Sequence, residues 1–424
     1  MRALAALLLL SLGGLLAQAP KLQAVKAARL LDVRKGAVLP RPVVLLEGDR
    51  VKAVGTDLAI PAGTPVIDLG EATLMPGLID LHVHLSGDPG DFWETTFRRS
   101  PIDAAIMAPV YARRTLEAGF TSVRMAGAEE YVDVALAKAI DRGDLAGPRI
   151  QPAGLAIGAT GGHGDLNGMS PYLRFEGFSG IADGPEAIRK LVRQNIKHGA
   201  EVIKMLAGAG VLSEEDSVGA PQYTPAEMEA LVDEAHTWGR KVLAHAHGAE
   251  TIKRAIRAGV DSVEHASLID EEGLRLAKAK GTVLVMDIYN DDYILAEYAK
   301  NRFPEKILEK ERQVGRQQRE NFRKAVQAGV RLGYGTDAGV FPHGWNGRQF
   351  AHMVQWGMTP LQAIQAATIT AADLMGWAGK VGEVVPGVFG DLVAVAGDPL
   401  KDIRLLEHPS FVMKGGVVVK QERP

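Results

Sequence analysis

Met75-Pro76-Gly77-Leu78-Ile79-Asp80-Leu81-His82-Val83-His84 is the stretch that decides the fold. Its apolar residues read as a buried strand, entered through a Pro-Gly turn and ending in a polar site. His82 and His84 are two apart, and on a strand residues i and i+2 point to the same side. Both imidazoles can therefore reach one metal ion. An H-x-H pair is weak evidence by itself. Its weight comes from further metal-competent side chains downstream, each placed at the end of a strand.

Working outward, strand and helix alternate regularly. Strands are expected at Leu78–His84, Ser122–Met125, Arg149–Ala153, Val202–Met205, Val242–His247, Ser262–His265, Val283–Met286 and Leu332–Asp337. Helices are expected between most of them, at Pro185–His198, Pro225–Trp238, Ala249–Ala258 and Ile307–Ala328, with a charged helical insertion over Tyr289–Arg312 after the seventh strand. Eight strands with intervening helices predict an α/β fold, a (β/α)8 TIM barrel whose chemistry sits at the C-terminal ends of the strands. The two chain ends read differently. Val43–Val51 is a hairpin turning at Gly-Asp, and the segments Asp391–Val395 and Phe411–Val419 supply a second hairpin. This gives a small β-sandwich domain from residues 20–74 and 383–424, around a barrel of residues 75–382.

The 424 residues suffice for one such barrel and a small accessory domain. The formal net charge of −3 gives no reason to expect a nucleic-acid or anionic-membrane partner. Cysteine is absent, which excludes disulfides, zinc-thiolate sites and a thiol nucleophile; any metal must be held by nitrogen and oxygen. Residues 1–19 read as a secretory signal peptide: Met1-Arg2, an apolar run Ala3–Leu16, then Ala17-Gln18-Ala19. Pro20 directly after that signal disfavours a cut there and shifts it nearby. The expected location is secreted or periplasmic, with no stable membrane insertion after cleavage; an uncleaved N-terminal anchor is the alternative.

Polar residues fall at the expected strand ends. Lys204 ends Val202-Ile203-Lys204-Met205, where a buried amine is costly unless neutralised or paired. His245 and His247 lie in Leu243–Gly248, His265 in Ser262–Ala266 and Asp337 in Tyr334–Gly339. Each alone is more often a satisfied polar group of the core. Their coincidence at successive barrel strand ends is not ordinary.

With these motifs the chain resembles the metal-dependent amidohydrolase superfamily, and within it the Xaa-Pro dipeptidase and ochratoxin-degrading branch. The resemblance is carried by Met75–His84, Gly119–Arg124, Thr160-Gly161-Gly162-His163-Gly164-Asp165, the Lys204 segment, His245–Gly248, Glu264-His265-Ala266, Gly335-Thr336-Asp337 and Gly357–Pro360. It implies two divalent metal ions, zinc first, with manganese or cobalt also suited to imidazole and oxygen donors. His82, His84 and Asp337 would hold the more buried ion, His245 and His265 the second, and Lys204, carboxylated by carbon dioxide, would bridge them. Metal-activated hydroxide would attack an amide carbonyl, with Asp337 moving the proton. By the same resemblance His163 contacts the scissile carbonyl or the substrate carboxylate, His247 orients the substrate, Tyr223 binds its carboxylate and His343 lines the pocket. The substrate would be a small amide bearing a carboxylate: an N-acyl amino acid or dipeptide, of Xaa-Pro or N-acyl-phenylalanine type, ochratoxin A included. A cyclic amidohydrolase or lactonase/esterase on the same fold is the competing activity. An inactive metal-binding scaffold is the non-enzymatic one, and it predicts a missing ligand where none is missing. Relatives also imply a homo-oligomer, the octamer among its forms. Two departures stand out: Arg124-Met125, where relatives carry Asp after Arg, and Phe389-Gly390-Asp391, where Ala precedes Asp. The first is expected to alter the pocket's shape. His198, His236, His352 and His408 are expected to be structural.

Overall fold

Eight short parallel strands make the barrel, most of them rich in Val, Ile, Leu, Met or Ala and nearly all of their residues buried, as a sheet covered on both sides requires. They are β1 (Leu78–Val83), β2 (Phe120–Met125), β3 (Arg149–Gln151), β4 (Val202–Leu206), β5 (Lys241–Ala246), β6 (Ser262–His265), β7 (Val283–Val285) and β8 (Leu332–Gly333). The computed structural model describes residues 21–168, 170, 172, 180–213 and 217–422; the signal peptide expected at residues 1–19 lies outside them. Parallel pairing runs β1 to β2 to β3 and, separately, β4 through β8. The Glu201 amide donates to the Pro152 carbonyl at 2.8 Å, and Ile157 pairs with Met205, which joins β3 to β4. The ring closes where Leu81 N–H donates to the Tyr334 carbonyl and His84 N–H to the Ala338 carbonyl, each at 2.8 Å.

Local sequence chemistry fixes the helices between. Helix 185–198 begins with Pro at its first position and stops at Gly199, whose φ of 114° suits a residue without Cβ. Helix 225–237 is opened by a capping box between Thr224 and Glu227. The charged stretch after β7 is two helices, Asn290–Glu297 and Glu305–Ala328, packed on each other. Val202 and Leu243 lie two residues before Lys204 and His245, so they point the same way. They pack with Ala126 and Ala153 beneath the polar end of the barrel.

The chain ends build two further sheets. One orders the strands Arg50–Thr56, Pro42–Glu47, Leu22–Lys26 and Val66–Asp68. The other orders Val417–Gln421, Phe411–Lys414, Leu392–Val395, Thr73–Pro76, Arg29–Asp32 and Ala37–Pro40. The hairpins turn at Gly48-Asp49 and Gly415-Gly416. Val25, Val44 and Leu46 of the first sheet share a core with Leu74, Leu392, Phe411 and Met413 of the second. Phe389, one of the departures, has a use here: the guanidinium groups of Arg50 and Arg149 both lie 3.7 Å from its ring centre. Arg149 belongs to β3 and also pairs with Asp391 at 3.0 Å, so it ties the terminal sheets to the barrel.

Gly77 is the single residue between the strand Thr73–Pro76 and β1, and its N–H donates to the Asp391 carbonyl at 2.9 Å. A Cβ at Gly77 would sit 2.1 Å from Thr121 Oγ1 and 2.9 Å from Thr121 Cβ. Gly77→Ala is therefore expected to destabilise the protein by about 1–3 kcal/mol, read as a lowered thermal midpoint. Adding Thr121→Ala should return part of the loss; an unchanged midpoint in Gly77→Ala would show that β1 enters the barrel with room to spare.

Candidate metal centre

The C-terminal ends of the strands converge as the barrel geometry requires. His82 and His84 come from the end of β1, Lys204 from β4, His245 and His247 from the end of β5, His265 from β6 and Asp337 from the turn after β8. His265 and Asp337 have φ of 66° and 60°, a left-handed backbone that costs energy in any residue other than glycine. This bend is held in place: Asp337 N–H donates to the His82 carbonyl at 2.8 Å. Gly335 makes room for it, since a Cβ there would meet Val285 Cγ1 at 2.2 Å and His82 Cβ at 3.1 Å.

The side chains form one continuous cluster. Ring centres are 5.3 Å apart for His82–His84, 5.0 Å for His82–His265, 4.6 Å for His245–His265 and 4.8 Å for His245–His247. Asp337 Oδ1 lies 3.1 Å from His84 Nε2 and 3.4 Å from His82 Nε2. Ligand atoms of His82, His265 and Asp337 lie within 4.8 Å of one another, and so do those of His245, His247 and His265. Two metal-competent triads thus share His265, and His247 stands within reach of both an ion at the second triad and the open cavity. His163 stacks on His245 at 4.2 Å, its Nδ1 is 2.7 Å from Ser213 Oγ, and its N–H donates to Gln222 Oε1.

Buried acids orient the imidazoles. His82 Nδ1 lies 2.9 Å from Glu264 Oε2, and His265 Nδ1 lies 2.9 Å from Asp287 Oδ1. A ring nitrogen against a carboxylate carries the proton, which turns the Nε2 lone pair toward the centre, the arrangement metal-binding histidines use. His247 Nδ1 is held likewise by Ser267 Oγ at 2.8 Å. Glu264 is anchored in turn by Arg124 at 2.9 Å, and Arg124 donates to the Leu81 carbonyl at 2.7 Å. Asp287 receives Asn290 at 2.7 Å and Gln318 at 3.1 Å.

The electrostatics suit metal binding. Burial, then the charges of neighbouring groups, holds His82, His245 and His247 well below the ordinary histidine range, so their lone pairs are available. Burial also disfavours a charge on His265, but Asp287 overrides it and the net shift is upward. Burial works against a charged Asp337 too; the hydrogen bond and charge of His84, with His265 and Lys204, outweigh it and keep the carboxyl low. Lys204 is pushed down to about 8 by burial, against the pull of Glu264 and Asp337. The residues fit a pair of divalent ions on a structural observation: His245 Nε2 is buried, has no hydrogen-bond partner among the described residues and belongs to one of the triads. A neutral imidazole in that position is a donor awaiting a cation.

These groups line a cavity of about 420 Å³. His163 and His247 border it; Tyr223 and His343 do not. The Tyr223 hydroxyl is buried and donates to the Ala182 carbonyl at 2.8 Å, so it is turned away from any substrate carboxylate. His343 stacks on Tyr111 at 4.8 Å and its Nε2 lies 2.7 Å from the Gly87 carbonyl, behind the cavity wall. Neither Arg124 nor Met125, at the departure expected to alter the pocket's shape, borders the cavity. His236 pairs with Asp261 and His352 with Asp292, both away from the centre.

Comparison with known proteins agrees with this geometry. Residues 73–419 match the Amidohydrolase family. The ochratoxinase of Aspergillus niger is 34% identical over 369 residues, spanning 82% of this chain and 75% of its own length. Among solved structures, a Xaa-Pro dipeptidase with methionine bound in its active site superposes with a TM-score of 0.90 at 38% identity, covering 94% of this chain and 99% of that one. A prolidase complexed with n-methylphosphonate-L-proline gives 0.88 at 31% identity, covering 95% and 100%.

Glu264→Gln is expected to keep the fold but weaken metal binding about 10- to 100-fold, because the glutamine no longer fixes the His82 proton with a charge. Competition against a chelator measures it. Unchanged affinity would show that Glu264 serves Arg124 alone.

Proposed function

This chain belongs to the amidohydrolase family and is a metal-dependent hydrolase of amide bonds; from that premise we propose that it is a secreted enzyme, loaded with two zinc ions, that cleaves small dipeptides and N-acyl amino acids. The observation that supports it most is the convergence of six imidazoles, Lys204 and Asp337 on one cavity, with His245 Nε2 left without a hydrogen-bond partner among the described residues.

His82, His84 and Asp337 would hold one ion and His245 and His265 the other. Lys204 would join them as a carbamate. Its amine is buried, makes no hydrogen bond with any described residue, and is held at about 8, so a substantial fraction is neutral near pH 7.5. The nitrogen lone pair forms a bond to the carbon of carbon dioxide and one proton leaves, giving an anion with two oxygens. When bound, a pair of divalent ions acidifies a water and polarises a carbonyl. The protein's own groups do the rest. Asp337, ionised and placed between His84 and Asn290, accepts the water proton and delivers it to the leaving amine nitrogen. His163, braced by Ser213 and His245, lies against the carbonyl or the carboxylate of the substrate. Among the described residues lining the cavity there is no arginine, so a substrate carboxylate relies on His163, His247 and the positive centre.

The substrate class rests on the likeness to a Xaa-Pro dipeptidase, a prolidase and an ochratoxinase. Secretion rests on the pattern of residues 1–19, and assembly into a homo-oligomer on the family resemblance of the sequence motifs alone. No helix of the described residues is long and apolar enough to cross a membrane.

Assays of Met-Pro, N-acyl-phenylalanine and a lactone side by side, with elemental analysis, test this reading. Lys204→Ala should lose at least one metal per chain and all measurable turnover; full metal content with full activity would remove the bridge. His163→Ala should keep its metals and lose about 100-fold in turnover, whereas metal loss there would make it a ligand.

A further inference from the structure

One wall of the cavity is a single face of the helix Glu305–Ala328. Glu311, Val314 and Gln318 line it at positions i, i+3 and i+7, so they stand in a row along the helix. Gln318 marks the inner end, donating to Asp287 Oδ1 at 3.1 Å and to the His265 carbonyl at 3.2 Å. Glu311 lies two turns away, about 10 Å along the axis. Val314 lies between them. It belongs to one apolar cluster with Val211, Leu212, Ile294 and Val340, and these five residues line the cavity.

Glu311 is unusual among the acids of this wall. It is 5% exposed, yet it makes no hydrogen bond or ion pair with any described residue. Arg319, on the same helix, is engaged by Asp291 at 3.3 Å and Asp292 at 2.8 Å. The neighbouring Lys310 turns its amine to the Gly210 and Ser213 carbonyls. Asp88, another cavity acid, is held by Arg99 at 2.5 Å, and Asp287 and Asp337 serve the histidines; Glu129, elsewhere on the lining, is also without a partner among the described residues but is only half-buried. A carboxyl that is buried, faces open volume and has no partner is costly to maintain. Burial, with the Asp291 and Asp287 carboxylates, holds it up at about 8 in the free protein. A cation set beside it would favour the ionised carboxyl and so oppose both burial and the neighbouring carboxylates.

We propose that Glu311 is a specificity residue that receives the ammonium or guanidinium end of a lysine or arginine side chain of the substrate, whose methylene stem lies along Val211, Leu212 and Val314. An apolar sleeve ending in an acid matches that side chain in length and chemistry. This rests on the amide-hydrolysis reading and narrows it to dipeptides and N-acyl amino acids with a basic side chain.

The test uses the metal-loaded full chain with Ala-Lys, Ala-Arg, Ala-norleucine and Ala-Pro, and the same residues in reversed order. The wild type should favour a basic side chain over norleucine at least tenfold in kcat/KM. Glu311→Gln, which keeps shape and removes charge, should bring that ratio close to one. It should also abolish the greater thermal stabilisation given by L-arginine over L-norleucine. Equal turnover of norleucine and lysine dipeptides by the wild type refutes the proposal without any variant, and so does an undiminished ratio in Glu311→Gln. Cleavage of Ala-Pro with no basic preference leaves amide hydrolysis standing and removes Glu311's role; cleavage of no amide removes both.

Discussion

Asp80 is the constraint on which the site depends. It is fully buried on β1 and accepts four hydrogen bonds: from Thr336 N at 3.0 Å, Thr336 Oγ1 at 2.6 Å, Asn346 Nδ2 at 2.8 Å and His82 N at 3.2 Å. Three of these donors come from the chain after β8, so one carboxylate sutures the first barrel strand to the last. Burial raises Asp80 to about 6 in spite of those bonds. A buried charge of this kind holds only while every donor stays in place, which is why it fixes register so tightly. The consequence is local and chemical. His82 and His84, two and four residues beyond Asp80, are set against Asp337, one residue beyond Thr336.

From that seam the rest of the centre is built in two layers. The inner layer is a group of mostly neutral imidazoles, an amine of lowered pKa and one carboxylate. Without a cation it would be a poor way to fill a barrel, because several lone pairs face one another in low dielectric. The outer layer consists of Glu264, Asp287 and Ser267, each taking a histidine Nδ1 and so deciding which nitrogen looks inward. Arg124 keeps Glu264 from being an isolated buried charge. Stability and chemistry are therefore coupled: the groups that make the acids tolerable in the core also aim the ligands.

The barrel and its inner layer were legible in the sequence because both follow from period and position. Short apolar runs bounded by Gly, Pro and charged residues fall where the eight strands are, and the strand Ser262–His265 has the limits its pattern gives. H-x-H on a strand points two side chains the same way whatever surrounds it. The outer layer was harder. Glu264 and Asp287 carry the same mark that singled out Lys204, a charge at the end of a buried apolar strand, and could have been found by it. Arg124 is read only as the last residue of the Gly119–Arg124 motif, and its partner Glu264 lies 140 positions downstream, which no local pattern reveals. Tyr223 shows the opposite failure. Its place in the motif is right, but the direction of a side chain in the loop after β4 depends on the Ala182 carbonyl. Glu311 looks like part of a solvated charged face until the helix is packed, since only packing shows which third of a helix meets the cavity.

The account stands on two cations occupying one site at the barrel mouth. Anomalous diffraction from crystals of the metal-loaded protein, collected at the absorption edge of the bound element, tests it most directly. Two peaks about 3.5–4 Å apart, one beside His82 and Asp337 and the other beside His245, with continuous density joining both to the Lys204 side chain, are the expected result. A single peak, or ions bound away from these side chains, would contradict it.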